Sequence, residues 1–428
     1  MNSNEVSKSA HVACGSYITQ LGVNAKNASA EVSMLTSAQK NAALRLIAER
    51  ITANAELIKC ENAKDIEIGK ANQMSSALLD RLTLTDARIA AMTNGVLQIC
   101  NLADPVGQVL GGGALANGLS VVKQRVPLGV IGIIFESRPN VTVDAAALCL
   151  KSGNVCILRG GSDAINSNKA LTSIMRACLK ECGICEDAVA LVEDTSREVA
   201  NEMMKLRQYI DVLVPRGGKG LISAVVANST IPVIETGEGN CHIYVDSSAN
   251  VAKAVAIIDN AKTQRPSVCN AVETLLVHAD IADKLYSALA EEWGGRVQVY
   301  GDDTAGKYME LSGIATDEEY AKEFLDYAVA VRTVDGIDTA IAHINKFGTK
   351  HSECIITESI ANANAFQRGV DAAAVYVNVS TRFTDGCEFG LGAEIGITTQ
   401  KLHARGPMGL AELTTYKYLV NGDYLVRE

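Results

Sequence analysis

Apolar residues recur at three- and four-residue spacing through TSAQKNAALRLIAERITANAELIKCENAKDIEIGKA, so the first hundred or so residues read as helices. From about Val122 the pattern changes to short apolar runs. VPLGVIGIIFE (126–136) predicts a buried strand, VDAAALCLKSG (143–153) a helix stopped by Gly153, and NVCILRGG a second strand. A helix follows over SDAINSNKALTSIMRACLKECG, opening with Ser162. AVALVED, YIDVLVPRGG and IPVIETG continue as strands, separated by helices at SREVANEMMKL and KGLISAVVANS. Such alternation implies crossover connections and a mainly parallel sheet.

The alternation resumes after Asn240, with strands at CHIYVD, ETLLVHA, RVQVYG, YAVAVRT, SECIITE and AAVYVNV. A second α/β domain therefore begins near 240. GQVLGGGALANGLSVVKQR (107–125) reads as a glycine-rich turn and a strand, and the tail after the Gly-Pro break is strand-like. Neither piece fits the two sheets, so both are expected to form a protruding arm that pairs between subunits.

At 428 residues, 48% hydrophobic and 21% charged, the chain suits two or three domains with a largely aliphatic core. A net charge of −10 argues against nucleic acid, whose phosphates need a basic face. The first residues lack the basic start and apolar run of a signal peptide, and no apolar stretch is long enough for a membrane span. The 12 cysteines are scattered, as expected of reduced thiols in a cytoplasmic protein.

Two strand-to-helix turns each pair an arginine with two glycines: Arg159 with Gly160 and Gly161, and Arg216 with Gly217 and Gly218. Glycine lets a backbone approach phosphate and arginine adds charge. Neither turn matches a dinucleotide fingerprint or a P-loop, so tight turns with solvated arginines fit as well. Cys178, Cys182 and Cys185 lack a fourth ligand nearby, which leaves tetrahedral zinc unsupported and no metal expected. Cys149 and Cys156 sit in apolar runs as small core residues; Cys14, Cys60, Cys100 and Cys354 lack chemical context. Cys241 and Cys387 lie in glycine-rich loops that could border a cleft. In TQRPSVCNAVETLLVH, Cys269 follows a polar loop and precedes a strand, with Arg265 close enough in sequence to favour a thiolate. The residues alone leave a nucleophile and an ordinary loop cysteine both open, since no histidine is near in sequence.

Several long stretches carry a more specific signal: VPLGVIGIIFESRPNVTVDAAALCLKSGN, VPRGGKGLI, GNCHIYVD, NAKTQRPSVCNAVETLLVH, VNVSTRFTDG and FGLGAEIGITTQKLHARGPMGL. In these the chain resembles the γ-glutamyl phosphate reductase family of the aldehyde dehydrogenase superfamily, from about residue 40 onward. The resemblance implies an α/β, aldehyde dehydrogenase-like fold. Residues 1–106, 126–239 and 386–410 would form a cofactor-binding domain, 240–385 a catalytic domain, and 107–125 with 411–428 an oligomerisation arm. It implies NADPH-dependent reduction of L-glutamate 5-phosphate to the 5-semialdehyde, in proline biosynthesis, through a thioester on Cys269.

The resemblance also assigns roles. The superfamily's oxyanion asparagine is replaced by Glu136, which cannot donate when ionised, and Asn140 is the expected substitute. Arg159 and Ser162 stand where NAD-preferring members carry a lysine and a glutamate, so NADP(H) is expected, with Gly160, Gly161, Arg216, Gly217 and Gly218 at its phosphates and Glu323 at the nicotinamide ribose. Glu235 matches the water-activating glutamate of oxidative members, yet phosphate exchange gives it no such task. Arg382 is expected at the substrate α-carboxylate and Asp385 at its ammonium, with Ser380 or Thr381 assisting and Arg265 or Arg138 at the leaving phosphate. A homo-oligomer is expected, and association with glutamate 5-kinase is a further possibility. Competing readings are an acylating dehydrogenase using coenzyme A and a non-catalytic nucleotide-binding assembly partner.

Overall fold

The amino-terminal periodicity forms five helices in a computed structural model that describes residues 16–427: α1 (Tyr17–Val32), α2 (Ser37–Ala53), α3 (Ala55–Ala71), α4 (Ser76–Leu82) and α5 (Asp86–Asn101). Cys14 and most of the segment read for a signal peptide lie outside the described residues. Thr36 and Gln39 form a reciprocal capping box that starts α2. The buried stripes of these helices, among them Val32, Leu44, Ile47, Val96 and Ile99, join the core of the first large sheet.

Two antiparallel strands follow, β1 (Val109–Ala114) and β2 (Ser120–Pro127). The glycine run is thus itself a strand, not the turn expected. Glycine is depleted from strands, which hid it. The space demands glycine: a β-carbon on Gly112 would lie 2.1 Å from the Val121 carbonyl oxygen.

The first sheet comprises β3 (Val130–Phe135), β4 (Val155–Arg159), β5 (Val189–Leu191) and β6 (Val212–Arg216). All its pairings are parallel, in the order β5-β4-β3-β6. Every residue of β3 is buried; each such Val or Ile contributes about 1.5–3 kcal/mol. Helix α6 (Pro139–Lys151) starts four residues before the apolar pattern suggested, because Pro139 at the first turn needs no N–H partner. Gly153, at φ 77°, ends it. A single 3₁₀ turn at Ser162–Ala164 precedes α7 (Ile165–Glu181), where buried Asp65 accepts the N–H groups of Asn166 and Ser167. Helices α8 (Arg197–Met203) and α9 (Lys219–Asn228) complete the crossovers. IPVIETG makes only one bridge, Val233 to Leu213, instead of the predicted strand; Pro232 has no N–H to extend a ladder.

The second sheet contains β7 (Cys241–Val245), β8 (Val272–His278), β9 (Gln298–Gly301), β10 (Gly313–Ile314), β11 (Ala328–Val334), β12 (Ser352–Ile356) and β13 (Ala374–Val377). It is wholly parallel, in the order β10-β9-β11-β8-β7-β12-β13. Helices α10 (Val251–Thr263), α11 (Ala282–Trp293), α12 (Asp317–Tyr320), α13 (Ile337–Phe347) and α14 (Ile360–Gly369) lie between its strands in sequence. The chain then pairs β14 (Ile397–Thr398) with β15 (Gly406–Pro407) and ends in β16 (Thr414–Asn421), which joins β2 in a three-stranded sheet. Arg125 on β2 fixes the start of β16, donating to the Ala411 carbonyl and to Thr414 Oγ1. Among the described residues, no helix is long and apolar enough to cross a membrane.

Candidate active site

In the first sheet the strand order reverses at β3, whose neighbours β4 and β6 leave a crevice at their carboxyl ends. A cavity of about 1090 Å³ opens there and runs to the amino-terminal edge of the second sheet, where Cys269 precedes β8. The two large sheets therefore face the same cleft with opposite ends.

The three turns of the first sheet differ in detail. Glu136, Ser137 and Arg138 line the cleft after β3. After β4 come Arg159, Gly161 and Ser162; Gly160 does not reach the lining, because it packs against Asn168 and Phe135. The Arg159 guanidinium donates to the carbonyl oxygens of Thr195 and Ser196, and its buried Nε has no partner among the described residues. After β6, Arg216, Gly217 and Gly218 line the cleft, and Gly218 caps α9. Its N–H donates at 3.0 Å to Glu136 Oε2. A carboxylate thus already occupies the helix end where a phosphate would be favoured.

Cys269 is half-buried and lines the cleft. Burial lifts its thiol to about 11; Arg216 pulls the other way, while Glu323 and Glu394 push it higher. This corrects the expectation that Arg265 would favour the thiolate. Arg265 also lines the cleft, but Arg216 is the leading cation acting on the sulfur, across from the other sheet. Among the described residues the Arg216 side chain has no ion-pair partner, and no histidine lines the cleft. Arg138 lines the cleft near this group, its guanidinium lowered to about 10 by burial and by Arg216 and Arg81.

The loop after β13 divides in two. Arg382, Thr384 and Asp385 line the cleft. Arg382 Nε donates to Gln264, and Asp385 accepts from the N–H of Cys387, so the two do not pair with each other. Ser380 and Thr381 are buried and absent from the lining, which moves them from the substrate to the scaffold. Thr381 Oγ1 donates to the Asn270 carbonyl at 2.7 Å, bracing the residue next to Cys269.

One further expectation changes. Asn140 is exposed on α6 and stands outside the lining; its amide donates to Asp144, so it presents no donor to Cys269. Glu235 also stands outside the lining, and Glu238 is the carboxylate of that segment that reaches the cleft. Glu323 lies beyond α12 in a loop, half-buried in the cleft wall, with Oε1 accepting the Gly239 N–H at 2.8 Å. Cys241 is fully buried, its Sγ–H donating to the Cys269 carbonyl oxygen, and Cys387 is exposed; neither lines the cleft.

Sequence reasoning missed Arg197 and Glu394. Arg197 begins α8 at a strand-to-helix turn, the same kind of position that singled out Arg159 and Arg216. It is exposed, lines the cleft, and has no ion-pair partner among the described residues. Glu394 lines the cleft near Cys269 and accepts from the Gly386 N–H. Burial and Asp385 raise its carboxyl to about 7. No local pattern in FGLGAEIGITTQ marks it, because both effects arise from the fold.

The aldehyde dehydrogenase family model matches residues 4–307. A γ-glutamyl phosphate reductase of Clostridium botulinum (strain Eklund 17B / Type B) is 55% identical over 410 residues, covering 95% of this chain and 98% of the relative. The enzyme of the same name from Carboxydothermus hydrogenoformans is 54% identical, covering 96% and 99%. A crystal structure of γ-glutamyl phosphate reductase from Thermotoga maritima superposes with a TM-score of 0.94 at 48% identity, over 96% of this chain and 100% of that one. An acetylating aldehyde dehydrogenase from Geobacillus thermoglucosidasius, 17% identical with a TM-score of 0.69, shares the fold. With its parallel-sheet cleft and these relatives, the chain belongs to the γ-glutamyl phosphate reductases, oxidoreductases of the aldehyde dehydrogenase family.

Proposed function

We propose that the chain reduces L-glutamate 5-phosphate with NADPH to L-glutamate 5-semialdehyde and phosphate, a step of proline biosynthesis in the cytoplasm. The observation that carries this reading is a half-buried cysteine, Cys269, and an arginine without an ion-pair partner among the described residues, Arg216, in one cleft with the glycine turns of a parallel sheet.

The cleft fits a phosphorylated dinucleotide. A β-carbon on Gly218 would meet nothing within 4 Å, so a phosphate there has room once Glu136 gives up the Gly218 N–H, and Arg197, without an ion-pair partner among the described residues, lines the cleft beside the loop that Arg159 holds. When bound, the reduced nicotinamide supplies a hydride. The chain's own part begins with loss of the Cys269 proton to water, the resulting thiolate favoured by Arg216. The thiolate attacks the acyl carbon, the carbon–sulfur bond forms, and the bond to phosphate breaks. Arg265, Arg138 and Arg382 bring positive charge to the phosphate and carboxylate of the substrate. After reduction of the thioester carbon the carbon–sulfur bond breaks, releasing the aldehyde and restoring Cys269. The Cys269 backbone N–H serves the oxyanion.

The three-stranded sheet serves subunit pairing in this reading: Tyr416, Tyr418 and Val420 are exposed on β16, more apolar surface than an edge strand tolerates well. The deciding assay is phosphate-dependent oxidation of glutamate 5-semialdehyde by NADP⁺. The expected result is turnover that requires phosphate and disappears in Cys269→Ser. Turnover that requires coenzyme A instead, or that survives the substitution, rejects the reading.

A further inference from the structure

Lys262 and Glu273 bracket the cysteine loop, seven residues before and four after Cys269. Both side chains are fully buried, with Nζ 2.6 Å from Oε2, and neither lines the cleft. Taking two charges out of water costs about as much as their attraction returns, so stability is a weak reason for the pair. The second carboxylate oxygen has another task. Glu273 Oε1 accepts the N–H of Leu325 at 3.3 Å.

Leu325 stands at φ 56°, a left-handed conformation that a side chain of its size disfavours. It is 41% exposed and lines the cleft. Two residues earlier, Glu323 accepts the Gly239 N–H, and Gly239 lies directly against the Cys269 backbone. Strained residues of this kind persist where their surroundings hold them, and they gather at binding sites. We infer that the Lys262–Glu273 pair is a positioning element: it pins Leu325 in its left-handed conformation, two residues after Glu323, and so couples the cofactor wall of the cleft to the cysteine loop. The inference rests on reading the cleft as a nicotinamide nucleotide site.

The test is the calorimetric Kd for NADP⁺ on the full chain. If that conformation is held only a fifth of the time, the apparent Kd rises about fivefold. Lys262→Met/Glu273→Leu removes both charges and the acceptor, and is expected to show at least that loss. Lys262→Met/Glu273→Gln keeps an acceptor oxygen for Leu325 and is expected to recover most of the affinity. Because buried positions can compromise folding, half-exposed Leu325 supplies an independent arm. Leu325→Val, whose β-branch excludes the left-handed region, is expected to bind at least about fivefold more weakly than Leu325→Gly, which enters it freely. Equal Kd values for Val and Gly, or wild-type Kd in the folded Met/Leu variant, overturn the inference. If the wild type binds no nicotinamide nucleotide, the reading of the cleft falls and takes the inference with it.

Discussion

A β-carbon on Gly239 would lie 1.4 Å from the carbonyl oxygen of Cys269 and 2.7 Å from its Cα. The two backbones are packed as closely as main chains allow, and the Cys241 thiol donates to the same oxygen at 3.2 Å. Any side chain at 239 must push the sulfur off its line of attack. A displacement of about 1 Å costs on the order of a hundredfold in rate. Gly239→Ala is therefore expected to lower kcat by about that factor, and a kcat within threefold of wild type, roughly 0.7 kcal/mol, contradicts this account.

Thiol reactivity should follow pH with a definite sign. With the Cys269 thiol near 11, the thiolate fraction grows about tenfold per pH unit between 7 and 9, and alkylation of Cys269 by iodoacetamide should grow with it. Arg216→Met removes the favourable cation and slows labelling throughout. Glu394, raised to about 7, is mostly neutral at pH 6 and charged at pH 8. Glu394→Gln therefore speeds labelling at pH 8 and changes little at pH 6. Faster labelling in Arg216→Met rejects this electrostatic picture.

Arg382 and Thr381 are adjacent in sequence but act on different things. Arg382 faces the cleft, so Arg382→Ala is expected to raise KM for the acyl phosphate about tenfold or more, the worth of a charge-assisted hydrogen bond. Thr381 braces Asn270 from within the scaffold, so Thr381→Val should lower kcat and Tm with a smaller effect on KM. Steady-state kinetics and a melting curve for the two variants separate the roles, and matching KM increases count against the division.

Cofactor choice should depend on Arg197 more directly than on Arg159. The Arg159 guanidinium is committed to the Thr195 and Ser196 carbonyls, whereas Arg197 is exposed at the cleft. Arg197→Ala is expected to cut the ratio of kcat/KM for NADPH over NADH about tenfold, the cost of one charged contact to a 2′-phosphate. Arg159→Ala should lower affinity for both nucleotides together. An unchanged ratio in Arg197→Ala removes that residue from the 2′-phosphate.

The periodicity of apolar residues was enough to place the helices before 100, most strands of both parallel sheets, and the turn carrying Cys269, because burial of one face imposes a local rhythm on the chain. It failed where local preference and tertiary demand diverge: at Gly111–Gly113, a strand made of poor strand formers, and at Pro232, which breaks a ladder the apolar pattern suggested. The family likeness lies in long motifs that are legible in the sequence alone. The partners of Cys269 were not. Charge acts through space, so the cation that bears most on the sulfur is Arg216, 53 residues away and on the other sheet, while nearby Arg265 counts for less. Desolvation likewise depends on what the whole fold packs around a group, which is why the raised thiol of Cys269, the raised carboxyl of Glu394 and the buried Lys262–Glu273 pair had no signature along the chain. Residue types and their order determined the family and the fold and singled out Cys269 as the candidate nucleophile; only the approach of one sheet's carboxyl ends to the other's amino ends decided which charges surround it.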